Sequence, residues 1–211
     1  MTEEIIKTGT TTLAIKCKDG VLLAADKRAT AGYLVAHKKV TKIIDITKQI
    51  AVTTAGTVSD VQLMAKLLKA EINLKDIRSG RCSSVNEVVH LLGNLVYGNI
   101  RKFSVIPGIS HFIVGGADES GFYVFDVGAD GSILEVDDYV SSGSGSVMAY
   151  GVLEALYKPG LSAEEAIELA KKGINAAMQR DIASGNGIDI ALIIKDGIRH
   201  VLTQEVSYSI K

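Results

Sequence analysis

Three residue types at three places in this chain could do chemistry together. They are a threonine behind a glycine (Gly9-Thr10), an aspartate in Asp26-Lys27-Arg28, and a lysine in Val40-Thr41-Lys42. A threonine hydroxyl inside a chain is a poor nucleophile. At a chain terminus it carries its own base, because the free α-amine titrates near ~8 and lies within reach of the hydroxyl. Cutting after Gly9 would therefore turn an inert segment into an activated nucleophile. The residues alone leave other readings open. Thr10-Thr11-Thr12 is most simply a β-branched strand start, and Asp26-Lys27-Arg28 reads equally as a strand end with solvated charges. Periodicity neither selects Thr10 over Thr11 nor places Lys42 beside either.

Other chemistries lack their residues. The chain has no Gly-x-x-x-x-Gly-Lys-Ser/Thr loop, no His-Glu-x-x-His and no Gly-x-Ser-x-Gly elbow. Gly143-Ser144-Gly145-Ser146 reads as a plain turn. His37, His90, His111 and His200 lack metal spacing and sit by no recognisable serine or cysteine motif, so structural or surface roles are expected for all four. Cys17 and Cys82 form neither a metal spacing nor a disulfide framework and are expected to be small buried hydrophobes. No metal or cofactor is expected. A hydrolase without a histidine base needs another one, which a terminal amine or a nearby lysine can supply.

Composition narrows the classes further. Lys plus Arg number 23 against 24 acids, so no global charge steers the chain to nucleic acid or to a membrane. Trp is absent and aromatics are 5%, which argues against a base-stacking platform. Met1–Gly9 has no apolar core long enough for a signal peptide, and no apolar run approaches the ~18 residues of a spanning helix. A soluble, cytoplasmic protein is expected.

The elements that must position these residues are read from turns and stripes. Thr12–Cys17 and Val21–Ala25 flank Lys18-Asp19-Gly20, a hairpin signal because the turn needs positive φ. The pattern recurs with Phe112–Gly116 and Phe122–Val127 around Asp118–Gly121. It recurs again with Ala129-Asp130-Gly131 before Ser132–Val136, and with Ile190–Ile194 and Ile198–Leu202 around Asp196-Gly197. Ile43–Ile46 and Ile50–Thr54 form another pair.

Val58, Val61, Met64, Leu67, Leu68 and Ile72 mark one helical stripe. Ser84-Val85-Asn86-Glu87 and Ser162-Ala163-Glu164-Glu165 are capping boxes that open two more helices. A fourth helix runs from about Val147 to Leu156. The order strands, two helices, strands, two helices, strands predicts an α+β four-layer αββα sandwich, two antiparallel sheets with helices outside, as one domain.

In order and spacing the segments match a known family. Gly9-Thr10-Thr11-Thr12, Ala25–Thr30, Val40-Thr41-Lys42, Thr54-Ala55-Gly56, Gly143-Ser144-Gly145, Tyr150–Leu153 and Arg180–Gly185 resemble proteasome β subunits, above all the archaeal type, from Gly9 to about Leu202. The resemblance implies the N-terminal nucleophile hydrolase fold. It implies residues 1–9 as a propeptide removed by self-cleavage at Gly9–Thr10, and residues 10–211 as the catalytic domain. Thr10 then looks like the nucleophile of a threonine endopeptidase acting through an acyl-enzyme. Lys42 stands beside it, Asp26 orients Lys42, and Ser144, Asp181 and Ser184 surround the threonine amine. The Gly56 N–H forms the oxyanion hole. Whether Lys42 or the freed amine is the general base stays open at this level.

Family positions that line the specificity pocket fall on Ala29, Val40, Thr54 and Val58. Three are apolar and none is charged, so cleavage after hydrophobic residues is expected. Thr54 departs from the methionine of some hydrophobic-cutting relatives. The implied partners are a homo- or hetero-heptameric β ring, rings of α subunits, a regulatory ATPase acting through the α ring, and unfolded protein substrates. Neither nucleic acid nor membrane is among them. The alternative within the family is a non-processed, structural β subunit. A free amidase of the same nucleophile fold is a further alternative, and the bacterial two-ring relative is disfavoured by Arg180-Asp181-x-x-Ser184-Gly185.

Overall fold

A computed structural model describes residues 9–206. β1 (Thr12–Cys17) and β2 (Gly20–Asp26) pair across the Lys18-Asp19 turn, and β1 also pairs with β10 (Tyr139–Ser142). β2 in turn pairs with β11 (Gly187–Ile194), and β11 with β12 (Gly197–Glu205) across Lys195-Asp196. The first sheet thus runs β10-β1-β2-β11-β12. The second contains β5 (Ile43–Asp45), β6 (Ile50–Gly56), β7 (Ser110–Asp118), β8 (Gly121–Val127) and β9 (Ile133–Val136), in that order. Every pairing is antiparallel, as hairpin turns require.

Period-two alternation divides each strand between two layers. Leu13, Ile15, Leu22 and Ala24 of the first sheet face α3 (Ser146–Leu156) and α4 (Ala163–Arg180), meeting Leu153, Leu169 and Ile174. Ile50, Val52, Phe112 and Val114 of the second face α1 (Val58–Ser79) and α2 (Val85–Arg101), meeting Leu68, Ile72, Val88 and Leu92. The intervening residues, among them Ala14, Leu23, Ala51, Ile113 and Val124, pack sheet against sheet. This is the αββα sandwich that the order of turns and stripes predicts.

Both capping boxes form as the sequence predicts. Ser84 accepts the Glu87 N–H and Ser162 accepts the Glu165 N–H, with each glutamate reaching back to its cap N–H. The α1 stripe is narrower than predicted. Val61, Met64, Leu68 and Ile72 are buried, whereas Val58 and Leu67 are exposed, because the sheet covers only one face of the helix. A short hairpin of β3 (Ala29–Ala31) and β4 (Leu34–His37) falls in a stretch for which the pattern predicts no strands. Cys17 is buried as expected. Cys82 is exposed, which corrects the expectation: it lies in the polar turn between α1 and α2, away from any core layer.

Candidate active site

The sheets bring the predicted residues to one end of the sandwich. Thr10 precedes β1, Asp26 ends β2, Lys42 precedes β5 and Gly56 ends β6. Gly9, Thr10, Lys42 and Gly56 line one cleft with Ala29, Val40, Thr54 and Val58, and its volume including the open mouth is about 500 Å³. All four expected pocket residues are therefore on its wall. So are Thr30, Ile44, Val61 and Gln62, which the sequence reading did not assign to the pocket. Gln62 was findable: it follows Val58 by four positions on α1 and so shares its face.

Asp26 and Lys42 are the dry part of the site. Lys42 is 4% exposed and Asp26 0%, and Lys42 Nζ donates to Asp26 Oδ1 at 2.5 Å. Asp26 has further donors: Thr11 N–H at 2.9 Å on Oδ1, and Arg28 N–H and Gly185 N–H, each at 2.9 Å, on Oδ2. Burial pushes the Lys42 ammonium below the ordinary lysine range, and this outweighs the opposing attraction of Asp26 and, more weakly, of Asp181. A lysine that sheds its proton more readily than a free one is a candidate general base.

A second carboxylate organises the other side of Thr10. Ser144 and Ser184 each donate a hydroxyl to Asp181 Oδ2 at 2.6 Å, and Ala183 N–H donates to Oδ1 at 3.1 Å. With its one hydrogen given to Asp181, the Ser144 oxygen accepts the Thr10 N–H at 3.2 Å. Ser184, likewise committed, accepts from the Thr11 hydroxyl at 2.6 Å. Thr11 is thus a neighbour of both carboxylate systems. The sequence could not separate it from Thr10; the structure gives its side chain to Ser184 and lines the cleft with Thr10.

Two glycines are required by close approach. A Cβ on Gly9 would overlap Ala183 Cβ and Ser144 Oγ, so the residue before Thr10 cannot carry a side chain in this arrangement. Gly56 has φ +120°, and a Cβ there would strike the Ile109 carbonyl. Its backbone ends β6 at the cleft, within the lining that also holds Thr10. No group of metal-ligating side chains occurs among the described residues. No helix described is long and apolar enough to cross a membrane.

The "Proteasome subunit" family model matches residues 6–193. "Proteasome subunit beta" of Archaeoglobus fulgidus is 41% identical over 206 residues, which cover 98% of this chain and 95% of that one. The protein of the same name from Methanosphaerula palustris is 45% identical over 196 residues, covering 93% and 91%. That from Ferroglobus placidus is 42% identical over 198 residues, covering 94% and 92%. The chain belongs to the proteasome family as a β subunit of the archaeal type, with the N-terminal nucleophile hydrolase fold that its two sheets and four helices build.

Proposed function

We propose that this chain is the catalytic β subunit of a proteasome core, a threonine endopeptidase that frees its own nucleophile by cutting Gly9–Thr10. The observation that carries this reading is the buried Lys42–Asp26 pair on the wall of a cleft that also holds Thr10 and Gly56. Burying a lysine costs stability, and a buried lysine with a lowered proton affinity on the wall of a cleft shared with a threonine is a mark of a functional site. The segment removed would be Met1–Gly9, of which Met1–Thr8 lies outside the described residues.

The order of events constrains the base. Before self-cleavage the Thr10 nitrogen is an amide and has no lone pair to offer, so the first proton acceptor is neutral Lys42. The Thr10 oxygen attacks the Gly9 carbonyl carbon, and the oxyanion is received by the Gly56 N–H. The C–N bond then breaks, its proton supplied by Lys42. Water hydrolyses the resulting ester and leaves Thr10 with a free amine. On substrates the same oxygen attacks the scissile carbonyl, Lys42 returns the proton to the leaving amine, and water releases the acyl group. With its hydrogen on Asp181, Ser144 accepts from the freed amine and leaves the amine lone pair free toward the hydroxyl and the incoming water. Losing one oxyanion donor of the Gly56 kind costs about 3–4 kcal/mol in comparable sites.

The particle would be a heptameric β ring between α rings, located in the cytoplasm, fed unfolded protein by an ATPase on the α ring. Neither nucleic acid nor membrane enters this account. Apolar Ala29, Val40, Ile44, Val58 and Val61 on the cleft wall favour cleavage after hydrophobic residues. The Thr54 hydroxyl on the cleft wall is turned to the Lys42 carbonyl at 3.4 Å. In particles assembled with an α subunit, the account expects fluorogenic peptides ending in leucine to be cut at least about 10-fold faster than those ending in arginine or glutamate. Preference for the arginine peptide would overturn this specificity, and no cleavage of any in fully assembled particles would favour the structural-subunit reading.

A further inference from the structure

The nucleophile and the oxyanion donor belong to different sheets. Thr10 leads into β1, which lies between β10 and β2, and Gly56 ends β6, which lies between β5 and β7. Between them the sheets meet through apolar side chains such as Ala14, Ala51 and Ile113, whose attraction is less directional than a hydrogen bond. One flank is tied by Asp26 of β2 to Lys42 just ahead of β5. The other is tied by a polar bridge that the peptidase reading does not use. Ser142 Oγ of β10 lies 2.9 Å from His111 Nδ1 of β7, and His111 Nε2 lies 2.6 Å from Asp126 Oδ1 of β8.

We propose that Ser142–His111–Asp126 is a second cross-sheet clamp at the reacting end, and that His111 is a positioning residue that sets the spacing of Gly56 against Thr10. The register places the bridge at the reacting end. Ser142 is paired with Thr12 and stands two residues before Ser144, which receives the Thr10 N–H. His111 is paired with Ala55 of the cleft wall, and its neighbour Ser110 is paired with Gly56. Asp126 accepts from the imidazole and holds the ring, so the other ring nitrogen is directed at Ser142. The three groups have the composition of a hydrolytic triad, but Ser142 is 3% exposed and its hydroxyl is given to the imidazole, so no substrate carbonyl can reach it. Their work is geometric. A misplacement of about 1 Å between reacting groups costs on the order of 100-fold in rate, and a polar bridge fixes direction where apolar contacts do not.

The inference rests on Thr10 being the nucleophile, and two probes separate the two claims. A peptide amide ending in leucine needs both Thr10 and the oxyanion donor. A peptide vinyl sulfone needs the nucleophile and its base but forms no oxyanion at a scissile carbonyl: the Thr10 oxygen adds to the vinyl carbon, and the hydroxyl proton, carried by Lys42, ends on the carbon beside the sulfone. In assembled particles, His111→Leu is expected to lower kcat for the amide about 30-fold with KM changed less than 2-fold, and to leave vinyl sulfone labelling of Thr10 within about 2-fold. His111→Gln, whose amide can donate to Asp126 and accept from Ser142, should recover most of the rate. Ser142→Ala, which removes one arm and little volume, should lose about 3- to 10-fold on the amide alone, and decides the matter if His111→Leu fails to assemble. Equal loss on both probes, or variants indistinguishable from the unmodified chain, would overturn the clamp. Unmodified particles that neither cleave nor label would overturn the assignment of Thr10, and the clamp with it.

Discussion

Two buried lysine–aspartate pairs draw on adjacent residues, Asp26 and Lys27, and they are built differently. Lys27 Nζ meets both oxygens of Asp189 at 2.8 Å, with side chains 7% and 8% exposed. Lys42 Nζ meets one oxygen of Asp26, because backbone N–H groups of Thr11, Arg28 and Gly185 occupy the rest of that carboxylate. Asp189 therefore serves its lysine with both oxygens, whereas Asp26 is a backbone-held post to which Lys42 is moored by one bond. Lys42 lines the cleft and, among the described residues, bonds Asp26 alone through its side chain; Lys27 is not among the lining residues. The pair at β2–β11 is built to hold strands together, and the pair at the cleft, in the proposed function, to hold a base in place. The same two residue types give a lock in one place and the proposed reagent in the other, and what differs is how the carboxylate's lone pairs are shared out.

The largest expected effect breaks the reagent. Lys42→Arg keeps the charge and cannot shed its proton, so peptide hydrolysis should fall by about 10³-fold or more and Gly9–Thr10 should stay uncut in assembled particles. Retained cleavage in this variant would move the base to another group. The lock should fail in the opposite way. Lys27→Met leaves Asp189 buried without its partner and should cost about 3–5 kcal/mol, read as a lower thermal midpoint at equal protein concentration. Activity per assembled particle should stay within about 3-fold, and adding Asp189→Leu should restore most of the lost stability. Lys27→Met particles of normal stability but no activity would erase the distinction.

The smallest effect sharpens it by pH. Burial lowers the Lys42 value, so the neutral base should populate, and kcat/KM rise, at a pH below the ~10.4 of a free lysine. For stability the sign is the same. Between the lowered value and ~10.4 the unfolded chain binds more protons than the folded one, so stability rises with pH across that window and is flat below it. Lys27→Met should leave the kinetic limb where it is; a limb that moves with Lys27 would mean that the two pairs titrate together.

The sequence carried the layers well because they rest on local chemistry. Asp-Gly turns, i+3/i+4 stripes and the Ser84 and Ser162 caps each act within a few residues; the turns and caps formed where the pattern put them, and the α1 stripe did so except at Val58 and Leu67. What it could not carry are contacts between segments far apart in the chain. Nothing near Lys27 announces Asp189, and His111 gives no sign of lying between Ser142 and Asp126. The β3–β4 hairpin was missed because its strands have three and four residues, with mostly exposed side chains in β4, and show no clean alternation. Asp26, Lys42, Ser144, Asp181 and Ser184 were placed by resemblance to a family, not by periodicity. The structure bonds Ser144 to the Thr10 N–H and to Asp181, which also holds Ser184, and bonds Lys42 to Asp26 on the cleft that Thr10 lines.

The central claim is that Thr10 cuts the chain ahead of itself with Lys42 as the base. It is tested most directly by the intact mass of the chain after assembly with its α subunit, for the unmodified protein and for Thr10→Ala. The account predicts loss of Met1–Gly9 from the first and full length for the second. An unmodified chain that keeps Met1–Gly9 inside a complete particle would contradict it and leave a structural subunit in its place.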